Sequence, residues 1–224
     1  MWSARPGQQA DWHTDLLAPP ERARREGYLR AEDQARFTVG TALLKLAAGR
    51  RLGLPASRVA VERTCADCGR PHGRPELPGH ELAVSISHSG DRVLVALAAG
   101  APVGVDVEQV SDRVNHGDLA RHVLGDGEHA AGRAAFFGYW TRKEAVVKAT
   151  GDGLRMALTE VVVTAPDAPP QLLRYGQRRD LVACLADLDA GPGYAAAVAV
   201  LAPGPLRVST RDATALLARP PGTG

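Results

Sequence analysis

The sequence predicts a mixed α/β chain of the α+β kind, in two halves that share one order of elements. Three observations carry that prediction. Two stretches, Glu32 to about Arg51 and Arg133 to about Ala149, have the length and apolar spacing of helices. Each is followed by short β-like runs that end in a hairpin, so Glu32–Ala98 and Arg133–Leu201 repeat the order long helix, strand, hairpin with little residue identity. The 224 residues are 45% hydrophobic but only 4% aromatic, enough for one domain or two small ones with cores of Ala, Val and Leu.

In chain order, the first helix places Phe37, Thr41 or Ala42, Leu44 and Ala48 on one stripe, and Gly53 marks its end. Val59–Arg63 is a short strand candidate. Cys65–Pro78 is rich in Pro and Gly and is expected to be a loop. Leu82–Ser87 and Arg92–Ala98 are β-like runs joined by a turn at His88-Ser89-Gly90-Asp91. Val103–Glu108 alternates as a strand, and Asp112–Gly132 is polar, with one short helix near Leu119–Leu124. The second long helix stops at Gly151. Val161–Val163, Leu181–Leu185 and Ala195–Leu201 follow as strands, and the tail Arg219–Gly224 is expected to be disordered.

The formal net charge of +2 is too slight to imply nucleic acid as a partner. Arg22, Arg24, Arg25, Arg30 and Arg36 nevertheless cluster around the start of the first helix, where they suit phosphates, an acidic protein or plain solvent. No apolar run is long enough to span a membrane, and the start lacks a signal peptide's apolar core, so a cytoplasmic protein is expected. Three cysteines do not suggest a disulfide framework. Cys65, Cys68 and His72 supply at most three nearby ligands where structural zinc takes four, and the expectation is a turn that happens to carry two thiols.

The chemistry concentrates in two segments. In Val103-Gly104-Val105-Asp106-Val107-Glu108 the strand period puts the valines on one face and Gly104, Asp106 and Glu108 on the other. Two acids there would repel unless a cation lay between them, and Gly104 is expected to leave room for a ligand. In the second helix Trp140, Glu144 and Lys148 share a face. Taken alone, the Glu–Lys pair would be a surface ion pair worth about 0.3–0.5 kcal/mol. Together the segments offer three carboxylates for a hard cation such as magnesium and a lysine for a phosphate.

These segments, with Ser85-Ile86-Ser87-His88-Ser89-Gly90, resemble the three signature motifs of the Sfp-type 4′-phosphopantetheinyl transferases, over about Arg22 to Ala199. The resemblance implies a pseudo-dimer of two similar halves, 1–102 and 103–224. Each half would be a small, largely antiparallel sheet packed on a long helix, with the active site in the cleft between them. It implies transfer of the phosphopantetheine arm of coenzyme A to a serine of an apo acyl- or peptidyl-carrier protein, with release of 3′,5′-ADP. Polyketide or nonribosomal peptide biosynthesis would be the setting, and the enzyme a monomer. Magnesium, or manganese in its place, would be held by Asp106, Glu108 and Glu144. Lys148 would serve a phosphate, and Glu144 or a metal-bound water would be the base. His88 and Ser87 would meet the 3′-phosphate, Arg74 would act from a Gly-Arg-Pro loop, and Arg24 and Arg36 would lie near the nucleotide. Phe37 stands where some members have a nucleotide-contacting threonine, so the adenine pocket is left open. A metal-dependent phosphoesterase and an inactive coenzyme A-binding module are the alternatives.

Overall fold

The computed structural model describes residues 1–65, 67–112 and 115–220. Of the tail expected to be disordered, residues 221–224 lie outside these, as do Ala66 of the two-cysteine turn and residues 113–114 of the polar stretch. The backbone separates into two compact units, Met1–Gly100 with the segment from Ser209 onward, and Ala101–Val208.

The first unit opens with a short strand, β1 (Trp2–Ala4), and a helix, α1 (Pro19–Glu26), that brings Glu21 inward. The long helix α2 (Ala31–Leu52) ends at Gly53, whose φ of 70° is the left-handed C-terminal cap that a glycine adopts without strain. From Phe37 to Gly49 its residues are buried on all sides, Val39, Leu43 and Leu44 packing with Leu16, Val84, Val93 and Val95. Burial all round forces Lys45 inside, where its ammonium donates to Leu16 O at 2.8 Å and pairs with Glu21 at 2.8 Å. Strands β2 (Leu82–Ser89) and β3 (Arg92–Ala99) form the hairpin, in antiparallel register from Leu82↔Ala99 to Ser89↔Arg92.

The hairpin corrects one expectation: His88 and Ser89 belong to β2, opposite Val93 and Arg92, because the ladder continues to a tight turn at Gly90-Asp91. Val59–Arg63 is not a strand. Only Glu62 pairs, with Glu76, because the chain folds back on its own loop and finds no neighbouring strand.

The second unit contains β4 (Val103–Gln109), α3 (His116–Val123), α4 (Arg133–Thr150), β5 (Val161–Val163), β6 (Leu172–Tyr175), β7 (Cys184–Asp187) and β8 (Tyr194–Val200). The sheet order is β4-β8-β7, all antiparallel, with β5-β6 as a separate antiparallel pair. β6 was not expected, and β7 starts three residues later than the apolar run Leu181–Leu185 suggested. Helix α4 ends at Gly151 with φ 78°.

The sequence from Ser209 returns to the first unit. There β9 (Arg211–Asp212) pairs in parallel with β1, and α5 (Thr214–Leu217) buries Leu217 in the first core. The halves expected at 1–102 and 103–224 therefore differ from the units at the C-terminal end. Short β1 lacks one neighbour without β9, and pairing it satisfies an otherwise open edge. The repeat itself has a backbone basis. In each unit the strand before the long helix, β1 or β4, pairs antiparallel with the last strand of the hairpin, β3 or β8.

Candidate active site

Helix α4 lies close over β4 because β4 has a glycine beneath it. A Cβ on Gly104 would overlap Ala145 O and fall 2.5 Å from Ala149 N. On the same face β8 supplies only small partners, Ala199 opposite Gly104, Ala197 opposite Asp106 and Ala195 opposite Glu108. Gly104 thus admits the helix, not the ligand expected from the sequence. The valines of β4 are buried on the other face, as their alternation implied.

The close approach sets Asp106 beneath the helix, 2% exposed, where Lys148 Nζ donates to its Oδ1 at 2.6 Å. Glu144, one turn before Lys148, is half-buried. Burial pushes its carboxyl up from the ordinary value, the charge of Asp106 pushes it further, and Lys148 pulls partly back. Glu108, two residues beyond Asp106 on the same strand face, is also half-buried. This oxygen-only donor set suits a hard divalent cation. A cation between Asp106 and Glu144 would offset both the burial of the Glu144 charge and the smaller repulsion from Asp106, so the residues fit one. The carboxylates are not drawn into a tight cage, however. Among the described residues, the group of three whose ligand atoms all lie within 4.8 Å of one another is Cys65, Cys68 and His72.

Two neighbours of Glu144, which the sequence reading passed over, set the rotation of α4. The Arg142 side chain, 1% exposed, donates to both carboxylate oxygens of Asp187 at 2.8 and 2.5 Å. It also donates to Thr164 O and Ala165 O at 2.8 Å, Pro166 O at 3.2 Å and Ala168 O at 3.0 Å. Lys143, fully buried, donates to Val123 O at 2.5 Å, Leu158 O at 3.0 Å and the Glu128 carboxylate. Glu128 in turn accepts from Val163 N at 2.9 Å and Gly125 N at 2.7 Å. With Arg142 and Lys143 locked on one side, Glu144 and Lys148 must face β4. The available signal was a helix apolar around its whole circumference, in which any charge must be paired.

In the first unit Ser87 is buried and His88 half-buried at the end of β2. Arg36 braces the hairpin turn, its Nε donating to Gly90 O at 2.7 Å and Nη1 to Asp33 at 2.5 Å. The Arg24 guanidinium lies 5.5 Å from the centre of the Phe37 ring and donates to Pro71 O at 3.4 Å. Phe37 is buried and its ring stands 5.7 Å from that of Tyr28, so it is part of the packing under Arg24. Arg74 pairs with Glu76 at 2.9 Å. In the loop before it, the Arg70 guanidinium and backbone hold the Cys68 thiol down to about 6. Among the described residues, no helix is long and apolar enough to cross a membrane.

Comparison with known proteins bears on these residues. The sequence model of the 4′-phosphopantetheinyl transferase superfamily matches residues 102–199, which contain Asp106, Glu108, Glu144 and Lys148. AcpT of Salmonella typhi, a 4′-phosphopantetheinyl transferase, is 35% identical over 53% of this chain and 68% of its own length. The 4′-phosphopantetheinyl transferase HetI of Nostoc sp. is 28% identical over 70% of this chain and 68% of its own. A 4′-phosphopantetheinyl transferase of Bacillus subtilis is 28% identical over 66% and 65%. The chain spans 64–68% of the length of relatives such as these.

Proposed function

The chain belongs to the 4′-phosphopantetheinyl transferase superfamily, and from that premise we propose that it moves the phosphopantetheine arm of coenzyme A onto a serine of an apo acyl- or peptidyl-carrier protein, releasing 3′,5′-ADP. The observation that carries this reading is the Asp106–Lys148 contact beside Glu144, two acids and an ammonium on facing elements. Magnesium or manganese, held by Asp106, Glu108 and Glu144, would supply charge neutralisation at the pyrophosphate.

The chain's own residues position and move charge. Lys148, 30% exposed, turns its ammonium from Asp106 to a phosphate oxygen and offsets the charge that grows on the departing nucleotide. Glu144 takes the proton of the carrier serine, and its raised pKa makes it a better base than an ordinary carboxylate. His88 and Ser87 at the end of β2, with Arg74, serve the 3′-phosphate, and Arg24 and Arg36 the rest of the nucleotide. The enzyme works as a monomer in the cytoplasm, where coenzyme A and carrier proteins reside, and supplies polyketide or nonribosomal peptide assembly.

The test is intact mass of a panel of apo-carrier proteins after incubation with coenzyme A and magnesium. Addition of one phosphopantetheine at the carrier serine, with 3′,5′-ADP released, is expected. Cleavage of coenzyme A without carrier modification would instead mark a phosphoesterase. Binding without either product would mark a coenzyme A-binding module.

A further inference from the structure

We propose that Cys65, Cys68 and His72 form a zinc site on the loop between Arg63 and Glu76. Their ligand atoms all lie within 4.8 Å of one another, and Cys68 Sγ is 2.9 Å from His72 Nε2. Two thiols and an imidazole are a soft-to-borderline donor set, which selects zinc over the hard cation suited to the carboxylates.

The loop is shaped for this convergence. Its base is closed by Glu62 N to Glu76 O at 2.9 Å and Glu76 N to Glu62 O at 2.8 Å. Within it Gly73 N donates to Arg63 O at 2.7 Å, and Cys65 N to Arg70 O at 2.9 Å. Gly69 follows Cys68 with φ 68°, a left-handed turn that lets its N–H reach back to Cys65 O at 2.9 Å. At Gly73 a Cβ would lie 2.6 Å from Thr64 O, so the returning chain can pass this close only as glycine.

Residues 67–72 are all exposed, so no apolar core holds the turn in place. A metal bond is the usual substitute for a core in so small a loop. The thiols are free, and Cys184 is engaged elsewhere, donating to Ala202 O at 3.1 Å. Both sulfurs bind as thiolates, any remaining thiol proton passing to water, and the neutral imidazole donates a lone pair. A water would take the fourth position of the tetrahedron.

This site does not depend on the transferase reading. A corollary does: Arg74 is two residues from His72, so the ion would also steady the arginine assigned to coenzyme A.

The experiment uses the full reduced chain, equilibrated with zinc and desalted, with metal content measured by mass spectrometry. Cobalt titration then reads the thiolate-to-metal absorption and the visible bands of a tetrahedral ion. One zinc per chain is expected in wild type and in Asp106→Asn, and loss of stoichiometric zinc in Cys65→Ser and Cys68→Ser. His72→Ala, an exposed substitution that spares the fold, should also lose it while circular dichroism stays unchanged. Substoichiometric zinc in folded wild type would overturn the proposal. So would zinc retained by the Cys65→Ser/Cys68→Ser double variant, or a Cys65–Cys68 disulfide formed in preference to metal uptake.

Discussion

Gly104 of β4 lies directly beneath the carbonyl oxygen of Ala145 on α4, with no room for a side chain between them. That contact fixes the depth of the helix over the strand, and the depth puts Lys148 on Asp106. Gly104→Ala should therefore destabilise the protein by about 1–3 kcal/mol or more, because backbone, not a flexible side chain, would have to move. Transfer activity should fall with it, even where the protein remains folded. Urea midpoints and carrier-mass assays on the same preparation check both halves. A stable, fully active Gly104→Ala protein would show that the helix is free to lift.

Glu144 gives a pH signature. Its folded carboxyl titrates above the ordinary value of 4.5, so the folded state holds a proton that the unfolded state has released. Stability must then fall as pH rises from that ordinary value through the folded pKa. Glu144→Gln removes the buried charge at nearly constant shape. In metal-free buffer it should melt higher than wild type at neutral pH, and the gap should close below pH 4.5, where both side chains are neutral. A melting difference that does not change with pH would contradict the assignment.

Lys148 and Glu144 should separate kinetically. Lys148→Ala should lower transfer by about a hundredfold or more, since a donor aimed at developing charge is lost. Magnesium should bind it at least as well as wild type, because the ammonium no longer competes for Asp106. Glu144→Gln should weaken magnesium binding, and saturating magnesium should not restore turnover if Glu144 is the base. Carrier-mass shift against magnesium concentration distinguishes the two variants. Wild-type behaviour of Lys148→Ala would reduce the contact with Asp106 to a structural ion pair.

Lys143→Met tests the anchor of α4. It leaves the Glu128 carboxylate buried without its cation and strips a donor from Val123 O and Leu158 O. A loss of about 3–5 kcal/mol is expected, as for breaking one side of a buried pair. Arg155→Ala, at a pair whose arginine is 48% exposed, should change stability by less than about 0.5 kcal/mol. Chemical denaturation of both variants makes the comparison, and equal losses would deny Lys143 its role.

The 3′-phosphate assignment rests on His88 and Arg74. Dephospho-coenzyme A should bind worse than coenzyme A by about 1.5–3 kcal/mol for each charge-assisted bond lost. His88→Ala should erase much of that discrimination. Calorimetry with both nucleotides reads it directly, and equal affinities in wild type would remove these residues from the site.

Local rules of period and capping were enough, from the sequence alone, to place α2, α4, the β2–β3 hairpin and β4, and to put Asp106 and Glu108 on one face. They worked because side-chain direction in a helix or strand follows from the backbone repeat, and because Gly53 and Gly151 stop their helices without reference to the rest of the chain. Such rules carry no information about partners distant in sequence. β1 and β9 are three and two residues long and exist because they pair across the length of the chain, Trp2 with Arg211 and Ser3 with Asp212. The sequence does not name the partners of Arg142 and Lys143. Only the packed structure surrounds them with carbonyls and acids from residues 123 to 187, and burial makes those partners obligatory. Gly104 was legible as a gap but not as the gap's occupant. Spacing puts Cys65, Cys68 and His72 near one another, but only the folded-back loop turns three side chains to a common point. Tertiary structure decides such matters because a charge or a metal ligand is defined by what surrounds it, and those surroundings come from segments that meet only when the chain is folded.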